Sequence, residues 1–150
     1  MDYEIVNLEA KTVAGVSAVT NNFAPDMGAM IGGLWEKFYG GVYAAVPDKV
    51  NDKALEIYTD YVDDEKSDYR VMVACETRVA KNGPAELYTR TIPAGRYAKF
   101  IVRGNMITAV ADFWQQLWTM DLPRAYVCDF EEYQNADMEN AEIHIYIGLK

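Results

Sequence analysis

Histidine and cysteine are nearly absent from this sequence of 150 residues, which contains one His and two Cys. The single His144 cannot build a histidine metal cluster, and Cys75 and Cys128 are far apart, with no CxxC spacing. We therefore expect no metal site and two buried free thiols of a reducing compartment. A Cys128–His144 dyad on neighbouring strands is conceivable, but a cysteine within a strand usually serves packing.

Motifs for common cofactor chemistry are also missing. The glycine-rich stretch Met27–Gly33 contains no lysine and does not follow the phosphate-loop pattern. Ser17 and Ser67 stand outside any nucleophile-elbow motif, so a serine hydrolase triad is excluded. We expect no cofactor, and a conventional cofactor-dependent enzyme is not expected.

Basic residues and long apolar runs are scarce as well. The chain has 14 Lys and Arg against 23 Asp and Glu, a net charge of −9. Direct nucleic-acid binding is not expected, because phosphate neutralisation requires clustered Lys and Arg. No apolar run approaches the ~18 residues of a membrane span, and the N-terminus lacks the basic and apolar regions of a secretory signal. The sequence predicts a cytoplasmic protein without a membrane partner.

A strand followed by an amphipathic helix occurs twice along the chain. In the second copy, Arg96–Arg103 is predicted to form a strand and Asn105 to cap a helix over Ile107–Trp118. In the first copy, Lys11–Asn21 precedes a helix over Met27–Phe38 with Asp26 as its cap. Two further strands follow each helix, and they are predicted at Leu55–Val62, Tyr69–Arg78, Arg124–Tyr133 and Ala141–Leu149.

This repetition predicts an α+β fold made of two strand-helix-strand-strand modules. The pseudo-repeats cover about 1–80 and 85–150 of a single domain spanning 1–150, since the connection between them is too short for an interdomain linker. A hydrophobic fraction of 51% is enough for one substantial core. We expect a largely antiparallel sheet with both helices on one face and most strand residues covered on both sides.

Aromatic residues and isolated carboxylates are abundant where other chemistry is missing. Eleven Tyr and three Trp exceed what a core of this size needs, so some of them should line a cavity. Glu76, Glu131 and Glu142 occur within or beside apolar strands. A carboxylate among aromatic rings can hold an organic cation through charge and cation–π attraction. The alternative is that these acids occupy solvent-facing strand positions by ordinary alternation.

Several segments together resemble one known family. They are GLWEKFY, IYTDY, VMVACE, TIPAGRYAKF, FWQQLW, DFEEY and EIHIYI, which together extend over nearly the whole chain. The sequence is similar to gyrase-inhibitor-like (GyrI-like) small-molecule-binding domains, which also form the effector-binding part of some AraC-type and MerR-type multidrug transcription regulators. The resemblance implies a central cleft between two pseudo-twofold modules that takes bulky, cationic or amphipathic compounds. No DNA-binding helix-turn-helix is visible in the chain, so a stand-alone copy is expected.

The resemblance leaves three functions open. The first is a binding protein for hydrophobic or cationic small molecules, with an aromatic-lined acidic cleft. The second is hydrolysis of reactive cyclopropane-bearing compounds in the same cleft, where a glutamate holds water and a tyrosine hydroxyl supplies a proton. The third is a protein-interaction module that modulates a topoisomerase or a transcription regulator.

The predicted cleft wall is aromatic and its charged anchor is a glutamate. The wall residues are Trp35, Tyr58, Tyr61, Trp114, Trp118, Tyr126 and Phe130. The position expected for the anchor, from a MerR-type relative, falls near Tyr126, so Glu131 becomes the first choice, with Glu142 and Glu76 as alternatives. Alternation places Tyr126, Cys128 and Phe130 on one face and turns Glu131 away, unless a bulge at Glu131–Glu132 re-aims a side chain.

Overall fold

Eight antiparallel strands form one sheet in the computed structural model, which describes residues 1–79 and 87–150. The strands are β1 Glu4–Leu8, β2 Lys11–Thr20, β3 Leu55–Thr59, β4 Tyr69–Glu76, β5 Tyr88–Ile92, β6 Gly95–Gly104, β7 Arg124–Tyr133 and β8 Ala141–Leu149. Their order across the sheet is β1-β6-β8-β7-β3-β4-β2-β5. The α+β class and the antiparallel sheet predicted from the sequence are confirmed.

The strand order is symmetric about the boundary between β3 and β7. Moving outward, β3-β4-β2 on one side matches β7-β8-β6 on the other. At the centre, Glu56 of β3 is paired directly with Glu131 of β7. This is the order that two strand-helix-strand-strand modules would produce. The expected junction between the repeats, near residues 80–85, falls outside the described residues, so the repeat boundaries stay a prediction.

The two main helices begin differently. Helix α3, Met106–Leu117, is capped by Asn105, whose side chain accepts hydrogen bonds from the backbone N–H groups of Ile107 and Thr108, as predicted. Helix α1, Met27–Lys37, follows Asp26, but this side chain makes no capping bond, so that prediction was wrong. Asp26 has φ −99° and ψ 8°, whereas a capping residue normally has extended backbone.

Helix α1 continues through a wide π-type turn, Phe38–Val42, into the short helix α2, Tyr43–Ala45. Gly41 in this turn has φ +151°, a conformation that glycine adopts without steric cost. Within 1–79 and 87–150, no helix is long and apolar enough to cross a membrane.

Both main helices pack on the same face of the sheet. Leu34 of α1 and Phe38 of the following π-type turn are buried against β4, in one cluster with Val71 and Val73. The counterpart cluster under α3 contains Phe113 and Leu117 with Ile143, Ile145 and Ile147 of β8. The two helices leave a gap over the centre of this face.

Among residues 1–79 and 87–150, only strand residues bury the opposite face. Its cluster is made of strand residues, including Met72, Ala74, Phe130 and Tyr146, and the edge strands β1 and β5 add Val6, Leu8 and Tyr88. Strand β5 was not predicted, because its sequence YTRTI offers no clear apolar alternation. Since both faces are covered, alternation along a strand does not reveal which face carries the helices.

Candidate functional site

A cavity of about 280 Å³ lies on the helix-covered face, between α1 and α3. Its lining is mostly aromatic and aliphatic, with a few polar groups. The lining residues are Asn22, Met27, Ile31, Tyr58, Tyr61, Glu65, Tyr69, Ala111, Trp114, Gln115, Trp118 and Arg124. This volume is close to the lower end of the ~300–1,000 Å³ typical of small-molecule sites.

Aromatic side chains form a continuous wall along the sheet side of the cavity. Tyr58 packs edge-on against Trp114, with ring centroids 5.2 Å apart. Tyr69 lies 5.8 Å from Tyr58 and 5.6 Å from Tyr61. Trp118, four residues after Trp114, is 46% exposed and lines the cavity from the end of α3. The wall presents ring faces and edges suited to an organic cation or a flat apolar ligand.

Glu131 lies directly behind this wall and is fully buried. Its carboxylate accepts hydrogen bonds from the Trp114 indole N–H at 2.8 Å, the Tyr58 hydroxyl at 2.8 Å and the Tyr133 hydroxyl at 2.7 Å. Two of these three donors line the cavity. Glu131 is therefore linked to the cavity through the side chains of Tyr58 and Trp114.

Glu56 lies beside Glu131 in the neighbouring strand and is 6% exposed. It accepts a hydrogen bond from the Trp35 indole N–H at 2.6 Å, and its other carboxylate oxygen contacts the Tyr58 hydroxyl. The two halves of the fold thus repeat one arrangement: an indole from a helix donates to a glutamate at the centre of the sheet.

Simultaneous ionisation of the two buried carboxyls is strongly unfavourable. Burial and the neighbouring Glu56 raise the pKa of Glu131 from 4.5 to about 8, although its three hydrogen bonds oppose this. Burial also raises the pKa of Glu56, again against its hydrogen bonds. Among residues 1–79 and 87–150, no Lys, Arg or His forms an ion pair with either carboxyl.

A buried ion pair closes another side of the cavity. Arg124, 6% exposed, donates to Asp129 at 2.8 Å, and Tyr61 donates to the same oxygen at 2.7 Å. The second Asp129 oxygen accepts from the backbone N–H of Gly148 at 2.8 Å. Because Asp129 neutralises Arg124, this cationic side chain does not cancel the charge of the central glutamates.

The structure places four of the ten predicted site residues on the cavity wall. These are Tyr58, Tyr61, Trp114 and Trp118. Tyr126 lies at the rim, where its ring contacts Tyr61 at 5.8 Å and the Arg124 guanidinium at 4.4 Å. Trp35 lies on the far side of the carboxyl pair, against Tyr133 at 5.2 Å, and does not line this cavity.

Three predicted site residues lie on the opposite face of the sheet and do not line this cavity. Phe130 is fully buried and stacks on Tyr146 at 4.6 Å. Glu76 pairs with Lys11 at 3.5 Å. Glu142 pairs with Arg103 at 3.2 Å and contacts His144 at 2.8 Å. Each of these carboxylates already has a basic partner or a ring nitrogen nearby.

The alternation within β7 is as expected, but its orientation is the reverse of the prediction. Phe130 turns away from the helices, and Glu131 faces them without any bulge at Glu131–Glu132, where pairing with β8 is regular. The irregularity lies earlier, between Arg124 and Asp129, and Tyr126 has φ +53° there. This irregularity, rather than one beside Glu131, is what sets Tyr126 at the rim.

Sequence reasoning missed Glu56, Tyr69 and Arg124. Glu56 lies between Leu55 and Ile57 in β3. It is therefore an isolated acid in an apolar strand, the same pattern that selected the other glutamates, and it could have been predicted. Tyr69 and Arg124 begin β4 and β7. Nothing local marks them, since only the pairing of distant strands brings them to the cavity.

The fold and site together define a small-molecule-binding domain with an aromatic cavity backed by acids. The chain matches the family of integron-associated effector-binding proteins over residues 4–149, and it belongs to that family. The GyrI-like resemblance in the sequence is confirmed, and membership supports the binding of a small-molecule effector. A search of curated proteins gives no significant match.

Solved structures share the whole fold. The integron cassette protein VCH_CASS2, from the mobile metagenome of Vibrio cholerae, is 28% identical with a TM-score of 0.78, covering 99% of this chain and 95% of its own. SAV2435, solved with tetraphenylphosphonium bound, is 20% identical with a TM-score of 0.79, covering 100% and 94%. The C-terminal domain of EcmrR is 16% identical with a TM-score of 0.67, covering 100% and 99%.

Proposed function

We propose that this protein binds hydrophobic organic cations in the cavity between α1 and α3. The observation that carries the proposal is the pair of buried carboxyls, Glu56 and Glu131, which have no basic partner among the described residues. Buried acids are normally paired with a cation or a metal, because isolated buried charge is costly. An organic cation in the adjacent cavity would supply the missing positive charge.

The aromatic wall transmits this charge to the ligand. When Glu131 is ionised, its hydrogen bonds polarise the Trp114 indole and the Tyr58 phenol, which makes their rings more electron-rich on the cavity side. A cation within ~6 Å of such a ring gains cation–π attraction, and more so where water is excluded. The fold of a protein solved with tetraphenylphosphonium is consistent with this ligand class.

Titration with tetraphenylphosphonium tests the proposal. Binding should change tryptophan fluorescence, because Trp114 and Trp118 line the cavity. Glu131→Gln should weaken binding by roughly tenfold to a hundredfold, the usual loss of a charge-assisted contact. It should leave affinity for neutral triphenylmethanol nearly unchanged.

The matched controls are Glu76→Gln and Glu142→Gln, the same substitution on the opposite face. Neither should change the affinity for tetraphenylphosphonium. If Glu131→Gln binds the cation as wild type does, the carboxyl pair is not the anchor. If the wild-type protein does not bind tetraphenylphosphonium but binds triphenylmethanol, the proposed ligand class is wrong.

General acid–base hydrolysis in the same cavity is a second candidate. It is favoured by Tyr58, which lines the cavity and whose hydroxyl contacts two carboxyls of raised pKa. Incubation with a cyclopropane-bearing alkylating compound, followed by mass spectrometry of the products, separates turnover from binding. Tyr58→Phe should abolish turnover if it occurs. The protein-interaction alternative stays a prediction.

A further inference from the structure

A single hydroxyl bridges the two buried carboxyls at the centre of the sheet. Tyr58 Oη lies 2.8 Å from Glu131 Oε2 and is also in hydrogen-bond contact with Glu56 Oε2. A phenol has one proton and can donate to only one carboxylate at a time. If both carboxyls were ionised, one contact would bring two oxygens together with no proton between them. The bridging geometry therefore requires one more proton.

The groups around the cluster cannot carry this extra proton, so it must reside on one of the two carboxyls. Trp35 and Trp114, from the two helices, already donate to Glu56 and Glu131 and do not titrate. The Tyr133 hydroxyl already donates to Glu131. The nearby titratable groups are the phenols of Tyr58 in β3, Tyr69 in β4 and Tyr133 in β7, together with the Tyr61–Asp129–Arg124 cluster at the far side of the cavity.

Each of the three phenols keeps its own proton at neutral pH. Burial, and the negative carboxyls beside it, raise the pKa of Tyr69 to about 12. The pKa values of Tyr58 and Tyr133 are raised for the same reasons. No lysine, arginine or histidine of the described ranges lies within ion-pair distance of either glutamate. The two carboxyls thus share the extra proton as a coupled pair.

We propose that the Glu56–Tyr58–Glu131 cluster carries one carboxyl proton when the cavity is empty and releases it when a monovalent organic cation binds. The inference rests on the proposed function and specifies its ligand as a cation exchanged for a proton. The exchange balances: the cluster changes from one negative charge to two, the ligand adds one positive charge, and one proton leaves for solvent.

The direction of this exchange follows from the position of the cavity. A positive charge within ~4–6 Å of a carboxyl lowers its pKa by about 1–3 units. The donors Tyr58 and Trp114 separate Glu131 from the cavity by only one ring, so a cation on those rings acts at close range. With an empty-state pKa of about 8 for Glu131, a shift of more than about one unit makes the doubly ionised pair the dominant form at pH 7.

The exchange makes cation affinity depend on pH. Between about pH 6 and 8, binding that releases one proton strengthens by up to ~10-fold per pH unit. Above the empty-state pKa of about 8 no proton remains to be released, and the affinity levels off. A neutral ligand has no charge to displace the proton, so its affinity should not rise with pH.

Calorimetry on the wild-type protein tests this directly. Tetraphenylphosphonium, which cannot itself titrate, is bound at pH 7 in phosphate and in Tris, whose ionisation heats differ. The difference between the two binding heats should correspond to release of about one proton. Infrared difference spectra should show loss of a protonated carboxyl band on binding, and triphenylmethanol should cause neither change.

The two single-carboxyl variants provide the matched test. In Glu56→Gln or Glu131→Gln, the Tyr58 hydroxyl donates to the one remaining carboxylate and the neighbouring like charge is gone, so proton release should fall below that of wild type and affinity should depend less on pH from pH 6 to 8. Glu142→Gln on the opposite face should release one proton as wild type does. Two separate variants keep the test valid if one of them does not fold.

The outcomes separate this inference from the function on which it rests. If tetraphenylphosphonium binds with no proton release and a flat pH profile, the proton exchange is wrong and cation binding stands. Absence of tetraphenylphosphonium binding from pH 6 to 9 overturns both. Proton release equal to that of wild type in both single-carboxyl variants would mean that the pair does not share the proton, and it would overturn the inference.

Discussion

Glu56 and Glu131 lie opposite each other across the β3–β7 boundary, and each accepts a hydrogen bond from an indole of the helix above its own half of the sheet. The Trp35 N–H is 2.6 Å from Glu56, and the Trp114 N–H is 2.8 Å from Glu131. Only the second indole lines the cavity. The cavity therefore contacts only one half of a nearly symmetric core.

The pH dependence of stability should reveal the buried carboxyls. Glu131 has a pKa near 8 in the folded protein and 4.5 ordinarily, so the folded state holds a proton that the unfolded chain has already released. Its favourable contribution is complete below pH 4.5 and is lost as pH rises to about 8. At pH 8, Glu131→Gln should be more stable than wild type by about a few kcal/mol, because the neutral amide loses nothing as the pH rises.

Thermal melts at pH 5 and pH 8, without ligand, measure this effect. The gain in Glu131→Gln should be present at pH 8 and nearly absent at pH 5, where the wild-type carboxyl is protonated. Glu142→Gln, on the opposite face, should show no such difference. An equal gain for Glu131→Gln at both pH values would contradict a raised pKa.

The two equivalent indoles should differ in function. Trp114→Phe removes a cavity-lining ring and a donor to Glu131, so cation affinity should fall by roughly tenfold. Trp35→Phe removes the equivalent donor to Glu56 away from the cavity and should weaken binding much less. Affinities from calorimetry, which does not depend on the indoles as reporters, make the comparison. Equal losses in both variants would argue for a ligand lying between the two halves.

The Arg124–Asp129 pair should contribute strongly to stability. Asp129→Asn leaves the guanidinium buried without its counter-charge, which typically costs about 3–5 kcal/mol. The matched control is Asp48→Asn, which breaks the exposed pair of Asp48 with Arg78 and should cost about 0–1 kcal/mol. Urea unfolding gives both values. Similar losses at the two positions would mean that burial does not govern this pair.

Phe130 should behave as a core residue and not as part of the ligand site. Phe130→Ala removes a fully buried ring that stacks on Tyr146, and the expected loss of stability is about 3–5 kcal/mol. If the variant stays folded, its affinity for tetraphenylphosphonium should match that of wild type. A milder variant, Phe130→Leu, allows the same measurement if the alanine variant unfolds. If a folded variant bound tetraphenylphosphonium more weakly than wild type, Phe130 would have a role in ligand binding, and this prediction would be wrong.

Much of the fold could be predicted because its signals are local. Apolar spacing marked the two main helices to within one residue at each end, and Asn105 was a recognisable cap. The strand β5 was not found, since an edge strand with a polar sequence is held mainly by pairing with β2. The capping role of Asp26 failed because local sequence does not fix the backbone angles that a cap needs.

The site was only partly predictable for a different reason. Aromatic and acidic candidates could be named, and Tyr58, Trp114 and Glu131 do meet. Phe130, Glu76 and Glu142 were expected at the cleft but lie on the opposite face. Because both faces of the sheet are buried, alternating residues of a strand are apolar on either side, and the sequence does not show which side faces the helices.

The sequence by itself determined the helices, most strands, the acidic and aromatic composition and the family. Only the tertiary structure decided that Glu56 meets Glu131, because they are 75 positions apart and their contact depends on the register of β3 against β7. It also decided that Tyr58 bridges them and that no described basic group neutralises them. These are long-range relationships of hydrogen bonding and charge, and no local pattern of residues encodes them.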